Sequence, residues 1–147
     1  MDKMKKRTII LRAAYWTGAV FDALTLIPML NSKIGARVFG LTDFVPGREY
    51  RYAMGLAATL MLGWTLLLLW ADRKPLERRG ILPLTIVVVF GLAAAGAYAV
   101  AQGLVPFSRM LPTWIWQAII CGFFLGAYLQ AGKARSAPTV LPVSREE

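Results

Sequence analysis

A chain of 147 residues has room for one domain, and 57% of it is hydrophobic, above the roughly 45–50% of soluble globular proteins. A net charge of +9, no histidine and one cysteine exclude imidazole ligation of haem or zinc, histidine acid–base chemistry and any intrachain disulfide. The basic residues flank apolar runs and form no stripe with exposed aromatics, so they point to topology and anionic lipid, not to nucleic acid.

The N-terminus, MDKMKKRTIILR, leads into the first apolar stretch, Tyr15 to Leu30. A signal peptide begins in the same way. This stretch, however, is longer than a signal core, contains Asp22 and Pro28, and ends in Asn31-Ser32-Lys33 without a cleavage pattern. It reads as a first transmembrane helix over about residues 11–30. Helical spacing puts Tyr15, Gly18, Asp22, Thr25 and Met29 on one face, and Trp16, Val20, Leu24, Ile27 and Leu30 on a lipid-facing one.

Residues 31–51 make the longest connection. Ile34, Val38 and Leu41 recur at helical spacing beside Lys33 and Arg37, which predicts a short interfacial helix that Gly40 ends. Asp43 to Gly47 reads as a turn, with Pro46 as the first residue of the next helix. The second span covers about 52–70, with Gly55, Thr59 and Gly63 as a small-residue stripe. The basic connection ADRKPLERRG follows, and Pro75 breaks the helix there.

The third span, about 81–101, is Gly/Ala-rich, and Gly91, Ala95, Tyr98 and Gln102 share a face. After a short loop, Pro112 suits the first turn of a fourth span over about 113–131. In that span Gln117, Cys121, Phe124 and Tyr128 follow one another on one face, and Gly122 and Gly126 form a GxxxG pair. The short connections predict that the second, third and fourth spans are sequential neighbours. Residues 1–132 are thus expected to be an all-α integral membrane four-helix bundle, and 133–147 a polar, disordered tail.

Twelve of the 17 Lys and Arg residues lie in the N-terminus, the 71–80 connection and the tail. The positive-inside rule therefore puts both termini in the cytoplasm.

Asp22 is the sharpest chemical signal. Insertion scales price a charge at a helix centre at roughly 2.5–3.5 kcal/mol, so the group must face inward and be matched by a partner or carry its proton. Gln117 is the polar side chain nearest in depth. Arg51 stands about 15 Å further along, by the 1.5 Å helical rise. Asp22, Thr25, Gln117 and Tyr98 are the candidate ligand- or proton-binding residues, and a purely structural role in clamping the bundle is the competing reading. The Gly/Ala/Thr stripes read as packing devices and Cys121 as a small apolar residue. Arg48-Glu49-Tyr50-Arg51 reads as a surface ion-pair cluster or an anionic-headgroup contact.

No nucleophile–base pair, phosphate-cradling loop or metal-ligand cluster is visible, and the carboxylates of Asp72 and Glu77 sit among basic neighbours. The expectation is a protein without catalytic residues, metal or cofactor. Two functions fit. One is an accessory subunit, or a binder of a small apolar ligand or lipid between the helices. The other is a dimeric, proton-coupled small-molecule transporter using Asp22. Expected partners are anionic lipid headgroups and another membrane protein or a second copy, with no nucleic acid.

The segments GWTLLLLWADRKPLERRG and FGLTDFVPGREYRYAMGLAA resemble small four-span bacterial inner-membrane proteins. That resemblance implies a bacterial cytoplasmic membrane location and supplies no activity. In architecture the chain loosely resembles DoxX-like proteins and the small multidrug transporters, which also carry a carboxylate in the first of four helices.

Overall fold

The computed structural model describes residues 3–41 and 44–132. The expected disordered tail and Asp43 of the expected turn lie outside them. The described chain is all-helical: α1 (Lys3–Leu30), α2 (Ser32–Phe39), α3 (Arg48–Asp72), α4 (Ile81–Ala101) and α5 (Phe107–Gly132). Helices α1, α3, α4 and α5 are each long and apolar enough to cross a bilayer. The protein is a multi-pass membrane protein.

Local chemistry fixes the helix ends. Asn31 caps α2 by accepting from the Lys33 and Ile34 amides at 3.2 and 3.3 Å. Gly40 ends α2 in the left-handed conformation, φ 71°, which glycine adopts at no steric cost. Pro46 is not the first residue of α3. Gly47 is its N-cap, and the Gly47 carbonyl takes the Arg51 amide at 3.2 Å. Pro112 is not in the first turn of α5 either. The helix starts five residues earlier, because the Pro106 carbonyl already accepts from the amides of Arg109 and Met110. Pro112 then deprives only one carbonyl near the helix end of its donor.

Helix α1 is the centre of the bundle, packed against both α3 and α5, and α4 packs on α5. The expected order of sequential neighbours fails at α3 and α4, which have at most marginal contact. The 73–80 connection folds into turns, and its Arg78 carbonyl accepts from the buried Tyr15 hydroxyl of α1 at 3.0 Å. Leu76 packs on the core. The chain is thereby tied to α1 as it leaves α3, and α4 sets down on α5.

The packed core lies toward the end that carries the N-terminus. On α1 it comprises Leu11, Ala14, Tyr15 and Ala19; on α3, Leu68 and Ala71; on α5, Ile120, Phe124, Ala127 and Ala131; Leu82 opens α4. Gly18 is its tightest point. A methyl group there would stand 3.0 Å from Leu68 Cδ1 and 3.1 Å from Phe124 Cζ, so three helices meet closely only because this residue has no side chain. Trp16, Val20, Leu24, Ile27 and Leu30 are all exposed, as the α1 periodicity predicts for a lipid face.

Candidate functional site

Asp22 follows the last core residue of α1: Ala19 closes the apolar layer and Asp22 comes one turn later. On α3, Trp64 comes one turn before Leu68, and on α5 Gln117 comes one turn before Ile120. Both α3 and α5 pack on α1, and Gly18 meets Leu68 and Phe124 at one level. One turn along α1 and one turn back along α3 then brings Asp22 and Trp64 to a common depth. The rings of Phe21 and Trp116, 5.4 Å apart, fix the neighbouring residues Asp22 and Gln117 in the same layer.

Each of these three residues has a buried polar atom with no hydrogen-bonding partner among the described residues: Asp22 Oδ2, Trp64 Nε1 and Gln117 Oε1. Buried polar groups are satisfied in the great majority of cases, so three at one level are a chemical feature. The set is complementary: an indole N–H can only donate, while the amide oxygen accepts and the carboxyl does either according to its protonation.

The other sequence candidates are placed differently. Thr25 is half-buried, and its hydroxyl donates to the Phe21 carbonyl of its own helix at 2.8 Å instead of reaching Asp22. Tyr98 is 66% exposed on α4 and is not part of the layer. The face it shares with Gly91, Ala95 and Gln102 is exposed throughout. The face of α4 that meets α5 is set by Gly96, where a methyl group would stand 3.1 Å from Met110 Sδ and 3.3 Å from Trp114 Nε1. The GxxxG pair of α5 and the α3 stripe were also expected to pack, yet a Cβ at Gly55, Gly63, Gly122 or Gly126 would meet nothing within 4 Å.

Trp64 was missed by sequence reasoning. Its signal was depth, since tryptophan in a span favours the interface and one near the middle carries an N–H that lipid cannot satisfy. A second polar cluster was missed as well. Arg12 donates to Asp72 through Nε (2.9 Å) and Nη2 (3.0 Å), and Trp16 Nε1 adds a third bond to Asp72 Oδ2 at 3.3 Å. Arg78 stacks its guanidinium 3.3 Å from the centre of the Trp70 ring and donates to the Trp70 carbonyl. Glu77 pairs with Lys74, at 3.2 Å on the surface. These contacts fasten the core end of the bundle, and Asp72 is occupied by structure.

Among the described residues no group of His, Cys, Asp and Glu could hold a metal ion. No family model matches the chain, and no solved structure matches it. Over 105 residues it is 31% identical to the undecaprenyl phosphate-alpha-4-amino-4-deoxy-L-arabinose arabinosyl transferase of Enterobacter sp. (strain 638). The match takes in 70% of this chain, which spans only 17% of that transferase.

Proposed function

We propose that the protein is a bacterial inner-membrane protein without a reaction centre of its own, with both termini in the cytoplasm, that holds a small apolar ligand or lipid between its helices. It acts as an accessory subunit of a larger membrane assembly. The observation that carries this reading is the layer of Asp22, Trp64 and Gln117, where a mainly apolar molecule with one polar group would complete three buried hydrogen-bonding groups. The likeness to one stretch of an undecaprenyl-phosphate-named transferase supports a place beside lipid-linked chemistry, with the catalytic parts in a partner. The reading keeps the chain with the small four-span inner-membrane proteins of loosely DoxX-like architecture.

The test is purification in gentle detergent followed by mass spectrometry of bound small molecules, lipids and proteins. Wild type should retain an apolar molecule that Asp22→Leu releases. Equal retention by both would defeat the reading. For the topology, Lys5→Cys and Val45→Cys in a Cys121→Ser background should label from opposite sides of the membrane.

A second reading, a proton-coupled transporter working as a dimer, is favoured by one observation: Asp22 is an acid near the middle of a span with an oxygen unmatched among the described residues. It requires substrate flux in proteoliposomes under a pH gradient, abolished by Asp22→Asn.

A further inference from the structure

A separate site lies at the end of the bundle remote from the N-terminus. A half-open pocket of about 330 Å³ sits between the last turn of α1, the start of α2 and the first turns of α3. Its lining is divided by chemistry: Arg51, Tyr50 and Ser32 are polar, and Met29, Leu30 and Met54 are apolar. No carboxylate among the described residues pairs with Arg51. The neighbourhood is basic, since the two connections at this end carry Lys33, Arg37, Arg48, Arg51 and Arg109 against Asp43 and Glu49.

Gly55 completes the lining. A Cβ there would meet nothing within 4 Å, and the same holds two turns on at Gly63. Between them the Thr59 hydroxyl is turned onto its own backbone, donating to the Gly55 carbonyl at 2.9 Å. Gly55, Thr59 and Gly63 thus form a small-residue furrow along α3 that leads away from the pocket, with the Thr59 hydroxyl bonded to its own backbone.

We infer that this pocket binds the phosphate of a membrane lipid on Arg51, Tyr50 and Ser32, with the lipid's chain lying over Met54 and Gly55 into the furrow. The guanidinium supplies a fork of charge-assisted donors suited to phosphate, and the two hydroxyls supply further donors. A soluble anion would use only the polar side. The apolar side and the furrow select a phosphate that carries a chain, and the pocket opens at the depth where a bilayer places headgroups above hydrocarbon. This site shares no residue with the Asp22 layer and does not depend on it.

The probe is phosphatidylglycerol, titrated into the full-length protein in non-ionic detergent and followed by native mass spectrometry. Dioleoylglycerol serves as the phosphate-free arm and inorganic phosphate as the chain-free arm. One phosphatidylglycerol should bind, and Arg51→Gln should weaken it about tenfold, as expected for loss of a charged hydrogen-bonding partner. Gly55→Leu, whose Cβ would meet nothing within 4 Å and whose longer side chain would occupy the pocket, should weaken it comparably. Arg48→Gln, at a basic residue of the same helix outside the lining, should bind within about twofold of wild type. Wild-type binding by Arg51→Gln and Gly55→Leu would overturn the proposal, and so would equal binding of dioleoylglycerol. Competition by inorganic phosphate at concentrations near those of the lipid would reduce the site to an anion site and overturn the lipid assignment. Elution volume and helical circular dichroism identify any variant that fails to fold. Either of the two lining variants then suffices to decide.

Discussion

Arg12 of α1 and Asp72 at the end of α3 are joined by two hydrogen bonds, 2.9 and 3.0 Å, across 60 residues of sequence. The Asp72 carboxylate is buried while the Arg12 side chain stays largely exposed. The pair therefore matters mainly through Asp72, whose loss also leaves the Trp16 N–H without its acceptor. Asp72→Ala should lower the thermal midpoint in detergent by several degrees. Arg12→Lys, which keeps the charge but not the fork, should lower it less. The double variant Arg12→Ala/Asp72→Ala should be no less stable than Asp72→Ala alone. Unchanged midpoints throughout would make the pair an idle surface contact.

Two glycines in consecutive layers should respond in opposite directions. Gly18→Ala forces a methyl group to within about 3 Å of Leu68 and Phe124 at the three-helix contact, and should cost about 1–3 kcal/mol as overpacking. Gly63→Ala meets nothing and should be neutral or stabilising by up to about 1 kcal/mol, since alanine is the better helix former. Thermal-shift measurements on the two variants side by side check the placement of both. Equal destabilisation would mean that Gly63 packs against something outside the single chain.

Helix α2 is held to the bundle through Gly35, where a Cβ would stand 2.8 Å from the Pro28 carbonyl oxygen. That neighbour is backbone and cannot rotate away. Gly35→Ala should lift α2 from the end of α1 and raise amide hydrogen exchange across Lys33 to Val38, leaving exchange in α3 unchanged. Gly40→Ala should loosen the same helix by a different route, because φ 71° strains any residue with a Cβ by about 1 kcal/mol.

Much of this architecture is legible in the residues, and the exceptions have physical causes. The α1 faces follow from period alone, because Asp22 and the small residues contrast with Trp16, Val20 and Leu24. Helix α4 offers no such contrast. It is apolar all round, so nothing in its pattern distinguishes Gly96, which meets α5, from Gly91 and Tyr98, which face outward. Asp72 looked like one charge in a basic loop, since its partner Arg12 is distant in sequence and resembles a topology residue. Loop length also misled: eight residues between α3 and α4 imply adjacency unless the connection is tied elsewhere, and the Tyr15 bond to Arg78 ties it. Within the layer, Asp22 and Gln117 were found by depth matching. Trp64 was passed over because an aromatic in a span reads as apolar.

Asp22 itself gives the most discriminating substitution. Its Oδ2 is buried and unmatched among the described residues, as are Trp64 Nε1 and Gln117 Oε1 at similar depth. Asp22→Asn preserves volume and hydrogen-bonding groups but removes a proton that can come and go. It should reach wild-type yield and unfold within about 1 kcal/mol of wild type, because side-chain hydrogen bonds in membrane proteins average only about 0.6 kcal/mol. Asp22→Leu keeps a similar volume and offers no polar group. It should fold too, since no protein partner of Oδ2 is lost, but it should release the bound apolar molecule. The two functional readings part at Asn: a ligand-binding layer should keep its ligand there, whereas a proton-coupled transporter should fold, bind and fail to move substrate. Ligand retention by Asp22→Leu, measured by mass spectrometry of the purified protein, would remove Asp22 from the ligand-binding reading, and undiminished flux by Asp22→Asn under a pH gradient would remove it from the transporter reading.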